Sequence, residues 1–257
     1  MFWYHGKSHS GTQLSLAIDD PGVCYGATCF TTMRVYDRSL AHPQTSWSAH
    51  CDRLSHNLAA FGWQQPNWQD LERGACLLAQ NFPVLRLVVF PDGREWIVGR
   101  ALPSKLSLQQ ASGVTAWIAR DSLYTRHLPQ YKTGNYLSAY LARSQALKHY
   151  AREAILLDKE GNWLETSTGN LWGWRDGCWY TPCLESGVLP GIARSCWLDS
   201  LRSRNLKVVE NIWHPQFVSS LTALGYSNCV VEYLPIIATI DGNQRQQYSL
   251  ELRLSND

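Results

Sequence analysis

An α+β fold in two domains is what this chain predicts, and three observations carry the prediction. Residues 1–100 alternate short strands and turns with two helical stretches. A break follows at Leu102-Pro103-Ser104-Lys105-Leu106-Ser107. Beyond it, strands and turns recur around two further helical patterns, near 135–150 and 192–203. At 257 residues the chain is long enough to build two modest cores. We place a small N-terminal α/β domain at 1–108 and a larger C-terminal domain at 109–257.

Phe2-Trp3-Tyr4-His5 followed by Gly6-Lys7 reads as the first arm and turn of a hairpin. Cys29 to Tyr36 is rich in β-branched and aromatic residues and ends at the turn-forming Asp37-Arg38-Ser39, which predicts a strand. From Ser48 to Leu58 the apolar positions fall at helical spacing, with Ser48 as the N-cap. A second helix is predicted over 68–81. Val84–Phe90 and Glu95–Val98 then pair across Pro91-Asp92-Gly93, a turn signal. After the break, Gly113–Ile118 begins a new strand. Residues 120–130 are polar, contain Pro129 and show no period, so they read as a connecting loop. A helix from about 135 to 150 leads to strands at Glu153–Asp158 and Trp163–Glu165 across Gly161-Asn162, and to another at Cys178–Thr181. The helix over 192–203 is closed by Arg202 and Arg204, as its dipole prefers.

Composition narrows the function. Charged residues make up 17% and the formal charge is +2, with no Lys/Arg run of the kind that follows a phosphate backbone, so nucleic acid is not a predicted partner. The longest apolar runs, such as Leu85 to Phe90, are strand-sized and interrupted, so no membrane span is predicted. The N-terminus shows no basic region before an apolar stretch. The eight cysteines are scattered, with no CxxC spacing and no nearby His pair. They read as reduced thiols, no metal site is predicted, and the expected location is the cytoplasm.

Chemistry concentrates in three segments. Lys132 stands in Tyr131-Lys132-Thr133-Gly134-Asn135-Tyr136-Leu137 before a helix, among rings whose packing would desolvate an amine; desolvated lysines form Schiff bases. Glu165 ends a strand in Leu164-Glu165-Thr166-Ser167-Thr168-Gly169-Asn170-Leu171, where a carboxylate either caps the next turn or pairs with a ligand cation. In Gly187-Val188-Leu189-Pro190-Gly191-Ile192-Ala193-Arg194, Gly191 precedes a helix and lets the amides of Ile192 and Ala193 approach an anion. An amine, a carboxylate and a phosphate-sized loop are the parts that hold pyridoxal phosphate. Dipole terms of about 0.3–1 kcal/mol each do not hold a phosphate alone, so an arginine is wanted. Arg53 and Arg194 both qualify, and spacing does not choose between them.

These segments resemble the fold-type IV pyridoxal-phosphate enzymes, which include branched-chain aminotransferases, D-amino-acid aminotransferases and aminodeoxychorismate lyases. The likeness runs from Asp20-Pro21-Gly22-Val23-Cys24-Tyr25-Gly26 through His50-Cys51-Asp52-Arg53-Leu54 and the three segments above, to Tyr226-Ser227-Asn228-Cys229. It implies a small α/β sandwich domain beside a larger β-barrel-like domain with helices, the latter carrying the Schiff-base lysine. It implies that Lys132 is that lysine and that Glu165 partners the pyridine nitrogen. It assigns the phosphate to Arg53 with Ile192 and Ala193, and puts Tyr136 and Asn228 beside the cofactor. Within the family, Phe30-Thr31-Thr32-Met33-Arg34-Val35 is similar to the lyases, whereas the aminotransferases usually carry an acidic residue after that Phe. Ser227-Asn228 also resembles the lyases. A Tyr at position 30 and an Arg-x-His clamp, features of the D-amino-acid enzymes, are absent from the sequence. Ala193 departs from the Thr of many relatives, Pro91-Asp92-Gly93 from a common Arg-Gly turn, and Tyr136 from the basic residue of some lyases.

The resemblance therefore implies a 4-amino-4-deoxychorismate lyase that eliminates pyruvate to give 4-aminobenzoate for folate biosynthesis. The alternative is a class IV aminotransferase acting on branched-chain or D-amino acids. Tyr25, Arg34 and Arg86 are the expected substrate contacts, the arginines for its carboxylates, and a homodimer is expected.

Overall fold

The computed structural model describes residues 1–250, and the strand nearest the N-terminus already shows how its first sheet is built. Strand β1 (Phe2–Tyr4) turns at His5-Gly6 into β2 (Lys7–His9), and its other edge pairs with β5 (Glu95–Arg100). β5 pairs with β4 (Val84–Val89) and β4 with β3 (Cys29–Arg34), giving an all-antiparallel sheet in the order β2-β1-β5-β4-β3. The turn between β4 and β5 is the predicted one. The Phe90 amide donates to Arg94 O, the Gly93 amide donates to Phe90 O, and Gly93 has φ +81°, a conformation glycine adopts without strain.

Helix α1 (Pro21–Cys24) is a single turn capped by Asp20. Two longer helices, α2 (Trp47–Ala60) and α3 (Trp68–Ala79), supply the other half of this unit's core. On α2 the buried positions are His50, Leu54, Asn57 and Leu58, a stripe at helical spacing. Leu54 and Leu58 join Leu71, Ala75 and Leu78 of α3 and Met33, Leu85, Leu87 and Ile97 of the sheet. Each buried leucine contributes roughly 1.5–3 kcal/mol. The predicted cap of α2 is corrected: Ser46, in the left-handed region at φ 54°, precedes the helix, and Ser48 lies inside it with its hydroxyl on Asp52.

The chain forms two compact units, Met1–Ser104 with Tyr131–Asn135, and Lys105–Gln130 with Tyr136 onward. The boundary read from the sequence, 108/109, differs in one consequential respect. The Lys132 segment belongs to the first unit and not to the larger second one. The cause is backbone pairing: β3 is an edge strand, and residues 131–135 run along its open side.

The second unit opens with a short helix, α4 (Leu106–Ser112), inside the stretch read from sequence as a break. Its sheet contains β6 (Val114–Ala119), β7 (Glu153–Leu157), β8 (Trp163–Thr166), β9 (Asn170–Arg175), β10 (Cys178–Pro182), β11 (Val208–Asn211), β12 (Ala223–Asn228), β13 (Glu232–Asp241) and β14 (Gln244–Gln247). The order β11-β10-β9-β12-β13-β6-β7-β8 returns on itself, because β8 also pairs with β9. The result is a barrel-like ring with β10 and β11 as a flap. The pairing that shuts the ring is Glu165 opposite Asn170.

Helix α5 (Leu137–Lys148) covers β6 and β7 through Ala139, Ala142 and Ala146, whose small side chains let the helix sit close to the sheet. Helix α6 (Ile192–Ser203) and the short α7 (Pro215–Ser219) complete the unit. No helix among the described residues is long and apolar enough to cross a membrane, and none of their His, Cys, Asp and Glu side chains form a metal-binding group.

Candidate active site

In the first unit, the site begins at the open edge of β3. The Phe30 amide donates to Lys132 O at 2.9 Å, and Cys29 and Thr133 form an antiparallel bridge. Gly134 makes this pairing possible. Its amide donates to Thr28 O at 2.6 Å, and a Cβ there would lie 2.2 Å from Thr28 Oγ1. Lys132 is half-buried, with Nζ 4.7 Å from the centre of the Phe30 ring. The Arg86 guanidinium carbon lies 3.7 Å from the same ring centre. Alternation along β3 puts Phe30, Thr32 and Arg34 on one face, and Arg34 packs over Tyr36 at 4.8 Å. This face therefore carries cations held by aromatic rings, each such contact contributing about 0.5–2 kcal/mol. Tyr25 follows α1 and is 81% exposed.

The opposite face of β3 meets α2. Thr31 is fully buried, and its hydroxyl lies 2.6 Å from Arg53 Nη2 and 2.5 Å from His50 Nδ1. Burial, followed by the charges of Arg53 and Lys132, holds the His50 pKa well below its ordinary value, so the ring is neutral.

In the second unit, Glu165 is gripped at both oxygens. Arg126 Nη1 donates to Oε1, and the Leu189 amide donates to Oε2 at 3.1 Å. Arg126 and Glu165 side chains are only 7% and 5% exposed. Burial opposes the Arg126 charge, but Glu165 and Tyr136 more than offset it, and its pKa is raised. Arg126 also donates to Pro129 O at 3.0 Å and lies over the Tyr136 ring at 4.9 Å. Asn170, paired with Glu165 across the ring closure, donates from Nδ2 to Leu189 O at 2.8 Å. The two side chains thus clamp residue 189 by its amide and its carbonyl. That fixes the segment leading to Gly191, which precedes α6 without any side-chain cap. A Cβ at Gly191 would lie 2.1 Å from Asn170 Oδ1. The first amides of α6, those of Ile192 and Ala193, have no acceptor within the helix. Arg194, left open by spacing, is directed elsewhere: it donates to Pro182 O and pairs with Glu210 at 2.6 Å.

The second unit holds another buried carboxylate. Glu153 on β7 is fully buried and accepts hydrogen bonds from Ser167 Oγ (2.5 Å) and Thr168 Oγ1 (2.8 Å), with Tyr226 OH at 3.4 Å. Burial pushes its pKa up, against the opposing pull of Ser167, Arg143, Thr168 and Arg152. Asn228 is engaged at both ends of its amide. Nδ2 lies 3.2 Å from Thr168 O, and Oδ1 accepts from the Val230 and Val231 amides. Its place is therefore on the turn between β8 and β9, which it holds together with Glu153.

Taken unit by unit, the donors fit pyridoxal phosphate. The first unit offers an amine on an aromatic face and a guanidinium beside an uncharged hydroxyl; the second offers a doubly bound carboxylate and an uncapped helix start behind a glycine that has no space for a side chain. The sequence profile of the amino-transferase class IV family matches residues 28–238. This chain belongs to that family.

Class IV relatives of both chemistries are similar to it. A branched-chain-amino-acid aminotransferase from Escherichia coli (strain K12) is 32% identical over 111 residues, 43% of this chain and 36% of that one, so the match spans about a third of the relative's length. A crystal structure of the E. coli branched-chain enzyme superposes with a TM-score of 0.79 at 23% identity, covering 95% of this chain and 87% of that one. An aminodeoxychorismate lyase from Vibrio harveyi is 24% identical over 224 residues, 81% of this chain and 80% of that one. A hypothetical aminotransferase from Mycobacterium tuberculosis, solved in a PLP-bound form, superposes with a TM-score of 0.81 at 17% identity, covering 96% and 93%. The α+β fold with a barrel-like second sheet is thus that of the class IV enzymes.

Arg126, Asn170, Glu153, Thr31 and His50 are the site residues that sequence reasoning did not assign. Asn170 and His50 stand inside segments singled out for other residues. Arg126 sits in a stretch without periodicity, and its partner lies 39 positions away, so no local signal marks it.

Proposed function

We propose that this class IV enzyme is a 4-amino-4-deoxychorismate lyase. The observation that carries the reading is Thr31. A neutral hydroxyl stands beside Arg53 and His50, where the aminotransferases of this family usually have an acid. Ser227-Asn228 and the likeness to the Vibrio harveyi lyase over most of the chain support it. Lys132 carries pyridoxal phosphate, Arg53 binds its phosphate with the Ile192 and Ala193 amides, and Glu165 partners its pyridine nitrogen.

When bound, the cofactor supplies an electron sink for the substrate carbon that bears the nitrogen. The Lys132 amine would take the proton from that carbon as general base. Glu165, fixed by Arg126 and the Leu189 amide, keeps a proton at the pyridine nitrogen. Arg86 and Arg34, on the Phe30 face, receive the substrate carboxylates, with Tyr25 closing over them. Loss of the enolpyruvyl group as pyruvate leaves 4-aminobenzoate. The enzyme works as a homodimer, which sedimentation checks. Eight cysteines outside any disulfide suit a reducing cytoplasm.

The test has two parts. Borohydride reduction of the yellow protein fixes the cofactor on the peptide containing Lys132, read by mass spectrometry. Aminodeoxychorismate without any keto acid then releases pyruvate, followed with lactate dehydrogenase. Amino-group transfer to 2-oxoglutarate with no pyruvate release rejects the lyase and leaves the aminotransferase.

A further inference from the structure

The buried side of β3 holds a group whose chemistry the reaction does not use. Thr31 Oγ1 lies within hydrogen-bond distance of two side chains, Arg53 Nη2 and His50 Nδ1, and none of the three atoms belongs to the Phe30 face. His50 and Arg53 are three positions apart on α2, so both project from one side of the helix onto the strand. Directions of donation follow from the chemistry of the groups. A guanidinium only donates, so Thr31 accepts from Arg53 and has its own proton to give. In the Nε2–H tautomer His50 accepts that proton at Nδ1; in the Nδ1–H tautomer its ring donates to Thr31 instead. In either case Thr31 Oγ1 accepts from Arg53 and is held by His50, whose Nε2 is buried without a hydrogen-bond partner.

We propose that Thr31 is the positioning residue that aims Arg53 at the cofactor phosphate. The inference rests on the assignment of Arg53 to the phosphate. An acid at position 31 would sit at ion-pair distance from Nη2, where the hydroxyl only accepts a hydrogen bond. The neutrality of His50 agrees: burial and two nearby cations disfavour its protonated form, so the pair adds no competing charge and only orients.

The experiment compares two ligands on full-length protein freed of cofactor. Pyridoxal phosphate and pyridoxal share the aldehyde and ring and differ in the phosphate. Thr31→Val keeps the shape and deletes the acceptor, Thr31→Ser keeps the hydroxyl, and Arg53→Ala removes the proposed phosphate ligand. Binding is read by absorbance and tryptophan fluorescence. Thr31→Val weakens pyridoxal phosphate about tenfold, the equivalent of one charge-assisted hydrogen bond, and leaves pyridoxal unchanged. Thr31→Ser stays close to wild type, and Thr31→Val adds no further loss in the Arg53→Ala background. Equal weakening of both ligands by Thr31→Val, or no weakening of pyridoxal phosphate, overturns the inference while Arg53 keeps its role. An Arg53→Ala protein that binds pyridoxal phosphate as tightly as wild type overturns the phosphate assignment and the inference with it.

Discussion

Arg94 is the residue whose replacement tests how the first unit presents its site segment. Its guanidinium donates to Asp20 Oδ2, Asp92 Oδ2 and Tyr4 OH, each at 2.6 Å, and lies 4.9 Å over the Phe90 ring. Asp20, 4% exposed, caps α1 through the Gly22 amide at 2.7 Å. The same chain segment continues to Thr28, which receives the Gly134 amide next to Lys132. Arg94→Met keeps an apolar stem on Phe90 and removes all three polar contacts. A hydrogen bond to a buried charged group contributes about 1.5–3 kcal/mol, the Tyr4 contact about 1 kcal/mol, and the half-exposed Asp92 little. The expected loss at neutral pH is therefore about 3 kcal/mol.

The loss depends on pH with a definite sign. Arg94, above all, holds the Asp20 pKa below 3.8. The stabilisation is complete above that value and disappears as the pH falls through the lower, folded-state pKa. In Arg94→Met the stranded carboxylate escapes its penalty by taking up a proton. Urea unfolding of both proteins at pH 7 and pH 3, followed by tryptophan fluorescence, reads the effect. The gap between them is wider at pH 7 than at pH 3. A gap under about 1 kcal/mol at pH 7, the value of a surface pair, or one that does not change with pH, refutes the argument.

Further substitutions probe the second unit. Arg126→Met strands a buried carboxylate at a cost of about 3–5 kcal/mol, and adding Glu165→Gln recovers part of it; a double-mutant cycle in urea that shows no coupling contradicts the buried pair. Gly169→Ala drives a Cβ to 2.2 Å from the Ser227 carbonyl oxygen, whereas Gly191→Ala meets a side-chain oxygen at 2.1 Å. Backbone cannot rotate away, so Gly169→Ala lowers stability the more, by about 3 kcal/mol in a thermal melt. Gly191→Ala instead weakens pyridoxal phosphate binding.

What the sequence made legible follows from how local each signal is. The α2 stripe of His50, Leu54, Asn57 and Leu58 and the Pro91-Asp92-Gly93 turn are encoded within a few residues, and both are present. β9 escaped because Asn170, Leu171, Trp172 and Gly173 are buried on both faces, which erases the period of two that marks a strand. α4 escaped because Pro103 and Ser104 dominate a stretch whose helix begins only at Leu106. Lys132, Glu165 and Arg53 stand in short motifs that can be read locally. The grip on Glu165 cannot, because Arg126 and Leu189 lie 39 and 24 positions from it in the chain.

That ring has a further meaning for how the enzyme matures. A slip of one residue anywhere along its strands would turn a side chain from one face to the other, and the pairing that shuts the ring is the one bearing the acid. A polypeptide with an open ring owns every residue of the cradle and none of its shape. Vitamin-B6 phosphate added during refolding should then rescue yield by trapping the finished product through mass action, while leaving the speed of assembly untouched.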